Sequence, residues 1–349
     1  MSASVPNTRG LLVVTDTLAG GMGALVRAQC AWFARRGWAV TLLAPDDGPA
    51  PDAPTVHTVI PAVQSARRVR EMLAARRAVR AAWRANAKKS TVVHVHGLRS
   101  FLLARAAGLP KPFVSVHGAH PSSDDPAGYH LVRRLWFASI PRFARGATSG
   151  EPTTAAGWAY RPFVSPLLGH LDVLRFPPTE SRPTFAWLGL LDDRKRPEVF
   201  VRAIAAVASD GVEVCGLLAG AGPRAGEIAA LIEKLDAPVT MLGQADAVDV
   251  LTPAWALCLF ARSEGTPLAV MEAMWAGRSV IASDRPGIRY LVGDTGSLAD
   301  DVAVVAAAMR NLATDPALAA RRGAAAATRI RTLINADTPW PEFERAYTS

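Results

Sequence analysis

Short apolar runs alternate with longer segments whose apolar residues recur every three or four positions, and this alternation organises the whole chain. In the first half the runs are LLVVT (11–15), Val40 to Ala44, TVHTVI (55–60), TVVHVHG (91–97) and FVSVHGAH (113–120). Further strands are expected in ATSGEPT (147–153) and FVSPLL (163–168). Between them, Leu25, Val26, Cys30, Trp32 and Phe33 fall on one helical pattern, Val69, Met72, Leu73, Val79 and Trp83 on a second, and Leu131 to Ala144 on a third. The second half repeats the alternation with TFAWLGLL (184–191), EVCGLLAGAGP (213–223), PVTMLG (238–243), ALCLF (256–260) and SVIA (279–282), then closes with alanine-rich helices and WPEFERAYTS. Strands that alternate with helices predict α/β domains with parallel sheets. A cluster of proline, glycine and polar residues, SPLLGHLDVLRFPPTESRP, marks a linker near 166–183. The expected domains are therefore 1–165 and 184–335, each Rossmann-like, with a tail at 336–349 that crosses back to the first.

One stretch, Arg262 to Ser283, carries the most chemistry. The apolar run before it reads as a buried strand and RSEG as a polar turn. Proline 267 then opens a helical pattern through Leu268, Met271 and Trp275, with Thr266 as N-cap and Gly277 as the left-handed stop. Strand, loop, helix and strand form a βαβ unit, whose loop lies at the carboxyl edge of the sheet, where such folds bind ligands. Glu264 sits on the loop and Glu272 eight residues later in the helix. Free amides at a helix start hold phosphate oxygens, and carboxylates accept hydrogen bonds from sugar hydroxyls. That combination suits a sugar nucleotide.

At 349 residues the chain is long for one core, and two domains of about 170 residues are the natural division. Half of the residues are hydrophobic, yet no apolar stretch reaches the roughly 20 residues of a membrane helix, and MSASVPNTRG lacks a signal-peptide core. A soluble cytoplasmic protein is expected. Cys30, Cys215 and Cys258 lie far apart in apolar segments without metal-ligand spacing, which fits a reducing compartment. The net charge is +9, and Ser65 to Lys89 holds nine basic residues against Glu71 alone. This amphipathic segment predicts contact with an anionic membrane surface or a lipid-linked or phosphate-bearing acceptor, set against a merely solvated face. Nucleic acid is not expected, because no binding fold or aromatic interleaving accompanies the charge.

The residues EGTPLAVMEAMWAGRSVIAS (264–283) resemble the E-x7-E signature of the family 4 retaining glycosyltransferases. GGMGALVRAQCAWFARRGWAVTLLAP (20–45) resembles the opening of the same family, in which a glycine-rich loop, here Gly20, Gly21 and Gly23, borders the transferred sugar and the acceptor. The resemblance covers nearly the entire chain and implies a GT-B fold with parallel sheets facing a central cleft. It also implies retention of anomeric configuration with neither metal ion nor resident cofactor. A nucleoside-diphosphate sugar would be the co-substrate. By that resemblance His117 stands beside the reacting sugar carbon, with His96 and His120 as weaker candidates. Glu264 binds the donor sugar and Glu272 its ribose. Asp124 and Asp125 are turn residues that could reach the acceptor, and no D-x-D metal site is present.

The family's diphosphate grip is Gly-Arg followed by a lysine five residues on. Gly189 and Lys195 match, but Leu190 replaces the arginine, so either Arg194 or Arg196 substitutes for it or the donor is held more weakly. Gly265, Thr266, Pro267 and Leu268 line the donor at the helix start, where all but the proline supply an amide. Tyr290 stands where an acid is common. Two alternatives share the architecture: a nucleotide-sugar 2-epimerase, which would act without acceptor, and a non-catalytic nucleotide-sugar-binding subunit, for which Leu190 is the best support.

Overall fold

A computed structural model describes residues 9–18, 20–51, 54–61, 69–86, 91–117, 135, 137–138, 140–149, 157–160, 168, 171–172, 182–337 and 339–349. The chain divides into two compact units, one of residues 1–167 with 339–349 and the other of residues 168–338.

The first unit is built on a seven-stranded parallel sheet of order β3-β2-β1-β4-β5-β6-β7. Its strands are β1 (Gly10–Thr15), β2 (Ala39–Ala44), β3 (Thr55–Val59), β4 (Thr91–His96), β5 (Phe113–Val116), β6 (Gly146–Ser149) and β7 (Trp158–Tyr160). The last is three residues long and has no counterpart among the expected strands, whereas FVSPLL falls mostly outside the described residues.

Period-two alternation sorts the side chains to two faces. Leu12, Val14, Val93, Val95 and Val114 meet Ala75 and Val79 of the helix Val69–Asn86 and Phe101 of the helix Leu98–Ala106. On the opposite face Leu11, Val13, Val40, Leu42 and Val92 meet Phe33 of the helix Gly20–Arg35 and Trp340, Phe343 and Tyr347 of the C-terminal helix Trp340–Thr348. Full burial of each such side chain contributes about 1.5–3 kcal/mol. The tail helix is fixed further by Glu344, which accepts hydrogen bonds from Arg36 Nε at 3.0 Å and Trp38 Nε1 at 3.1 Å.

The glycines at 20, 21 and 23 do not form a turn: the helix begins at Gly20, so all three lie in its first turn. Glycine is required at 23 for another reason. A Cβ there would stand 1.7 Å from the Leu18 carbonyl oxygen, so the helix start lies directly against the strand exit.

The second unit carries a six-stranded parallel sheet of order β10-β9-β8-β11-β12-β13. The strands are β8 (Thr184–Leu188), β9 (Cys215–Ala219), β10 (Val239–Gly243), β11 (Ala256–Leu259), β12 (Ser279–Ala282) and β13 (Ser297–Leu298). Phe185, Trp187, Phe200, Ile204, Trp255, Ile281, Met309 and Leu312 form its main core. β8 and β11 are neighbours in the middle of the sheet although about 70 residues separate them in sequence, so the loops after them meet at its carboxyl edge. All three cysteines are free, with Cys30 and Cys258 buried. No helix among the described residues is long and apolar enough to cross a membrane.

Candidate functional site

The loop after β8 and the loop after β11 are joined by charge. Lys195 Nζ lies 2.8 Å from Glu264 Oε1, and Arg194 Nη1 lies 2.9 Å from Glu264 Oε2. The Lys195 and Glu264 side chains are only 12% exposed, whereas Arg194 is 42% exposed. The turn that presents the two cations is held by Asp192, whose Oδ1 accepts from the Lys195 amide at 2.8 Å. The Arg262 amide donates to the Arg194 carbonyl at 2.9 Å, which ties the two loops together through backbone. Each carboxylate oxygen of Glu264 keeps one acceptor position beyond these contacts, enough for two sugar hydroxyls.

Arg196 takes another course. Its backbone is left-handed (φ 49°), and its guanidinium reaches Asp300, which also accepts from Arg285 at 2.9 Å. Of the two arginines that stand near the vacancy at Leu190, Arg194 therefore shares Glu264 with the lysine and Arg196 does not. Leu190 itself is 50% exposed and directly follows Gly189. Gly189 lies against β9's exit: a Cβ on Gly220 would stand 1.7 Å from the Gly189 carbonyl oxygen.

The helix after the Glu264 loop runs Leu268–Trp275, one residue shorter at its start than the sequence predicts. Pro267 occupies the N-cap position with extended backbone (ψ 129°), so Thr266 is not the cap. The residue before a proline is itself driven to extended backbone, which moves the helical start past both residues. Gly277 has φ 70° and ends the helix as expected.

Glu272 projects from the second turn of this helix, about 6 Å along the axis from Leu268. It is 8% exposed, and among the described residues no side chain or amide meets its carboxyl. Desolvation by burial raises its pKa from 4.5 to about 7. A buried carboxyl with no partner costs stability unless a ligand supplies the missing hydrogen bonds.

The Glu264 loop is supported from beneath by a close backbone contact, since a Cβ on Gly287 would stand 1.9 Å from the Gly265 carbonyl oxygen. Gly287→Ala is expected to displace that loop, lower the melting temperature through a cost of about 1–3 kcal/mol, and weaken sugar-nucleotide binding. Calorimetry and titration of the variant check both effects; unchanged binding would show that the loop does not need this seat.

In the first unit, His96 is the last residue of β4 and His117 directly follows β5. His96 Nδ1 lies 2.8 Å from His117 Nε2, and the two rings stack at 5.1 Å. Desolvation lowers the His117 pKa to about 3 and holds His96 well below its usual value, so both rings are neutral at physiological pH. His120, Asp124 and Asp125 lie outside the described residues. Gln29, His94 and Tyr347 join the histidines in one buried polar cluster that the sequence did not point to. A signal for Gln29 was present: it lies three residues after Val26 and four before Phe33, a lone amide on an apolar helical face. Among the described residues no group of three or more histidine, cysteine or acidic side chains is arranged to hold a metal ion.

The strand orders and wholly parallel pairing of both units define a GT-B fold, and solved structures share it. Sucrose-phosphate synthase from Thermosynechococcus elongatus superposes with a TM-score of 0.80 at 18% identity, over 97% of this chain and 98% of the other. WaaG, a glycosyltransferase involved in lipopolysaccharide biosynthesis, gives 0.67 at 16%, over 97% and 98%. A variant of S. aureus TarM, solved with fondaparinux, α-GlcNAc-glycerol and UDP, gives 0.65 at 16%; the match covers 79% of this chain and spans only 59% of TarM. No curated protein sequence matches the chain. Residues 19–149 match the family Glycosyltransferase Family 4, and residues 182–315 match Glycosyl transferases group 1. Both matched families are glycosyltransferase families.

Proposed function

We propose that the protein is a retaining, metal-independent glycosyltransferase that takes its sugar from a nucleoside-diphosphate donor held by the second unit. The observation that carries this reading is the Lys195–Glu264–Arg194 cluster beside a helix start, followed one turn later by the buried carboxyl of Glu272. Lys195 and Arg194 grip the diphosphate, together with the amides of Gly265, Thr266 and Leu268. Glu264 accepts from hydroxyls of the sugar and Glu272 from those of the ribose. As the bond to the anomeric carbon lengthens, negative charge gathers on the leaving diphosphate, and the two cations stabilise it without reorganisation. His117 acts on the sugar being transferred, and no side chain is assigned as covalent nucleophile.

Both halves of the chain match transferase families, which favours transfer over the epimerase and non-catalytic alternatives. The UDP in the TarM complex is consistent with a sugar-nucleotide donor. The test is a screen of UDP-, GDP-, ADP- and TDP-sugars with NMR of the glycoside formed. Retention requires the product anomer to match that of the donor; an inverted product, or turnover only with added divalent metal, would contradict the reading.

The helix Val69–Asn86 supports a second element of it, a cytoplasmic protein seated on an anionic membrane face. Ala75, Val79 and Ala82 are buried, while Arg70, Arg77, Arg80 and Arg84 are exposed; Arg76 is turned inward to the Ala106 carbonyl at 2.8 Å. Each exposed arginine near an acidic surface contributes about 1 kcal/mol. Vesicles rich in anionic lipid are expected to float the protein at low salt, and the Arg77→Glu/Arg80→Glu/Arg84→Glu triple variant is expected to stay in the pellet fraction. Equal flotation of both proteins would remove this element.

A further inference from the structure

His117 is joined to a continuous line of hydrogen bonds, buried except for its own contact with His96, that begins on the last helix of the chain. Tyr347 meets His94 Nδ1 through its hydroxyl, and Gln29 Nε2 lies 3.1 Å from that hydroxyl and 3.2 Å from the same nitrogen. Gln29 Oε1 lies 2.6 Å from His96 Nε2, and His96 Nδ1 lies 2.8 Å from His117 Nε2. His94, His96 and Ser115 share the sheet face that meets the helix Gly20–Arg35 and the tail, which is why residues from four elements converge there. His94 and His96 stack at 4.6 Å, so the three histidines form a column.

The donor and acceptor roles along this line follow from chemistry. The amide oxygen of Gln29 only accepts, so His96 Nε2 carries the proton facing it. A neutral His96 then has a lone pair on Nδ1, which accepts from His117, so His117 carries its proton on Nε2 and leaves Nδ1 an acceptor. The other end closes consistently. Gln29 Nε2 donates to Tyr347 Oη, and Tyr347 donates to His94 Nδ1. His94 Nε2 donates to Ser115 Oγ at 2.8 Å, which lies 2.9 Å from Thr148 Oγ1.

We infer that Gln29 and Tyr347, with His94 and His96, are positioning residues that hold His117 as the neutral Nε2–H tautomer. This rests on the reading that His117 acts at the transferred sugar. Glycosyl transfer develops positive charge at the anomeric carbon. An imidazolium beside that carbon would oppose the charge, whereas a neutral ring does not. The tail helix thereby contributes to the site through Tyr347 without itself touching substrate.

The test combines long-range proton–nitrogen NMR of the histidine-labelled full chain with steady-state kinetics. In the wild type the His117 signals are expected to show Nε2–H and an unprotonated Nδ1. Gln29→Met removes the acceptor while keeping the shape, and is expected to lower kcat about tenfold to a hundredfold with the donor KM within about twofold. Gln29→Glu retains an acceptor for His96 and is expected to restore the tautomer and most of kcat, which a purely structural role would not produce. Tyr347→Phe keeps the ring contacts and serves where Gln29→Met does not fold; a tautomer mixture at His117 and reduced kcat are expected. An Nδ1–H tautomer in the wild type would overturn the inference. So would an unchanged kcat in folded Gln29→Met or Tyr347→Phe, while inactive His117→Ala left the functional reading intact. A fully active His117→Ala would instead overturn that reading, whatever tautomer the ring adopts.

Discussion

Lys195→Ala is expected to lower kcat/KM by about a hundredfold to a thousandfold, on the order of 3–4 kcal/mol of lost transition-state stabilisation. The ammonium is held in a site where only 12% of its side chain is exposed, 2.8 Å from Glu264, so its charge is little screened. In the proposed site its loss removes one of the two cations assigned to the leaving diphosphate and leaves Glu264 paired with Arg194 alone. Most of the effect should fall on kcat, because the charge on the leaving oxygen grows as the bond breaks. Arg194→Ala is expected to cost about tenfold, since that guanidinium is more exposed. Arg196→Ala is expected to cost little activity, because Asp300 engages its side chain. Steady-state kinetics of the three variants with one donor checks the order; a larger loss for Arg196→Ala than for Arg194→Ala would reverse the assignment at the Leu190 vacancy.

The second large effect has opposite signs for stability and binding. The Glu272 carboxyl has its pKa raised to about 7 by burial, so the folded protein binds more protons than the unfolded chain between about pH 4.5 and 7. Stability therefore falls as pH rises through that window and levels off above it, by a total of roughly 3 kcal/mol. Glu272→Gln removes this loss, and the ligand-free variant is expected to melt higher than the wild type at pH 8. The same change weakens donor binding about tenfold or more, because an ionised carboxylate is the stronger acceptor for ribose hydroxyls. In the wild type the affinity for a sugar nucleotide, whose phosphates are ionised throughout, is expected to tighten as pH rises through 7. In the variant it should be flat. Paired melting curves and titrations at pH 6 and 8 check both signs; a variant that binds as tightly as the wild type at pH 8 would exclude Glu272 from the site.

The stretch from Arg262 to Ser283 was legible because each of its features is local. β11 and β12 are short, buried and apolar except for Ser279, the helix between them has its periodic residues, and glycine at 277 stops it in a left-handed conformation without strain. The misplacement of its start by one residue also has a local cause, the extended backbone that proline imposes around itself. Glycines 20, 21 and 23 look like a turn because glycine usually marks one; here Gly23 is needed within a helix that abuts the Leu18 carbonyl, a tertiary contact that periodicity does not encode.

The pairing of Lys195 with Glu264 joins residues 69 apart, and that of His94 with Tyr347 joins residues 253 apart. Sequence pattern placed each of these residues on an element but not beside its partner. The choice between Arg194 and Arg196 had the same character. Both lie within two residues of each other, and only the left-handed backbone at 196 sends the second toward Asp300.

The helix start at Leu268, with Lys195, Glu264 and Glu272 about it, is proposed as the seat of a sugar nucleotide. Thermal melting of the intact protein with UDP-, GDP-, ADP- and TDP-sugars tests it most directly. At a hundredfold excess over Kd the matching donor should stabilise the fold by about 2.7 kcal/mol, a shift of about 2–4 °C, and the shift should vanish in Lys195→Ala/Glu272→Ala. No shift with any of the four donors, or a full shift that persists in the double variant, would contradict it.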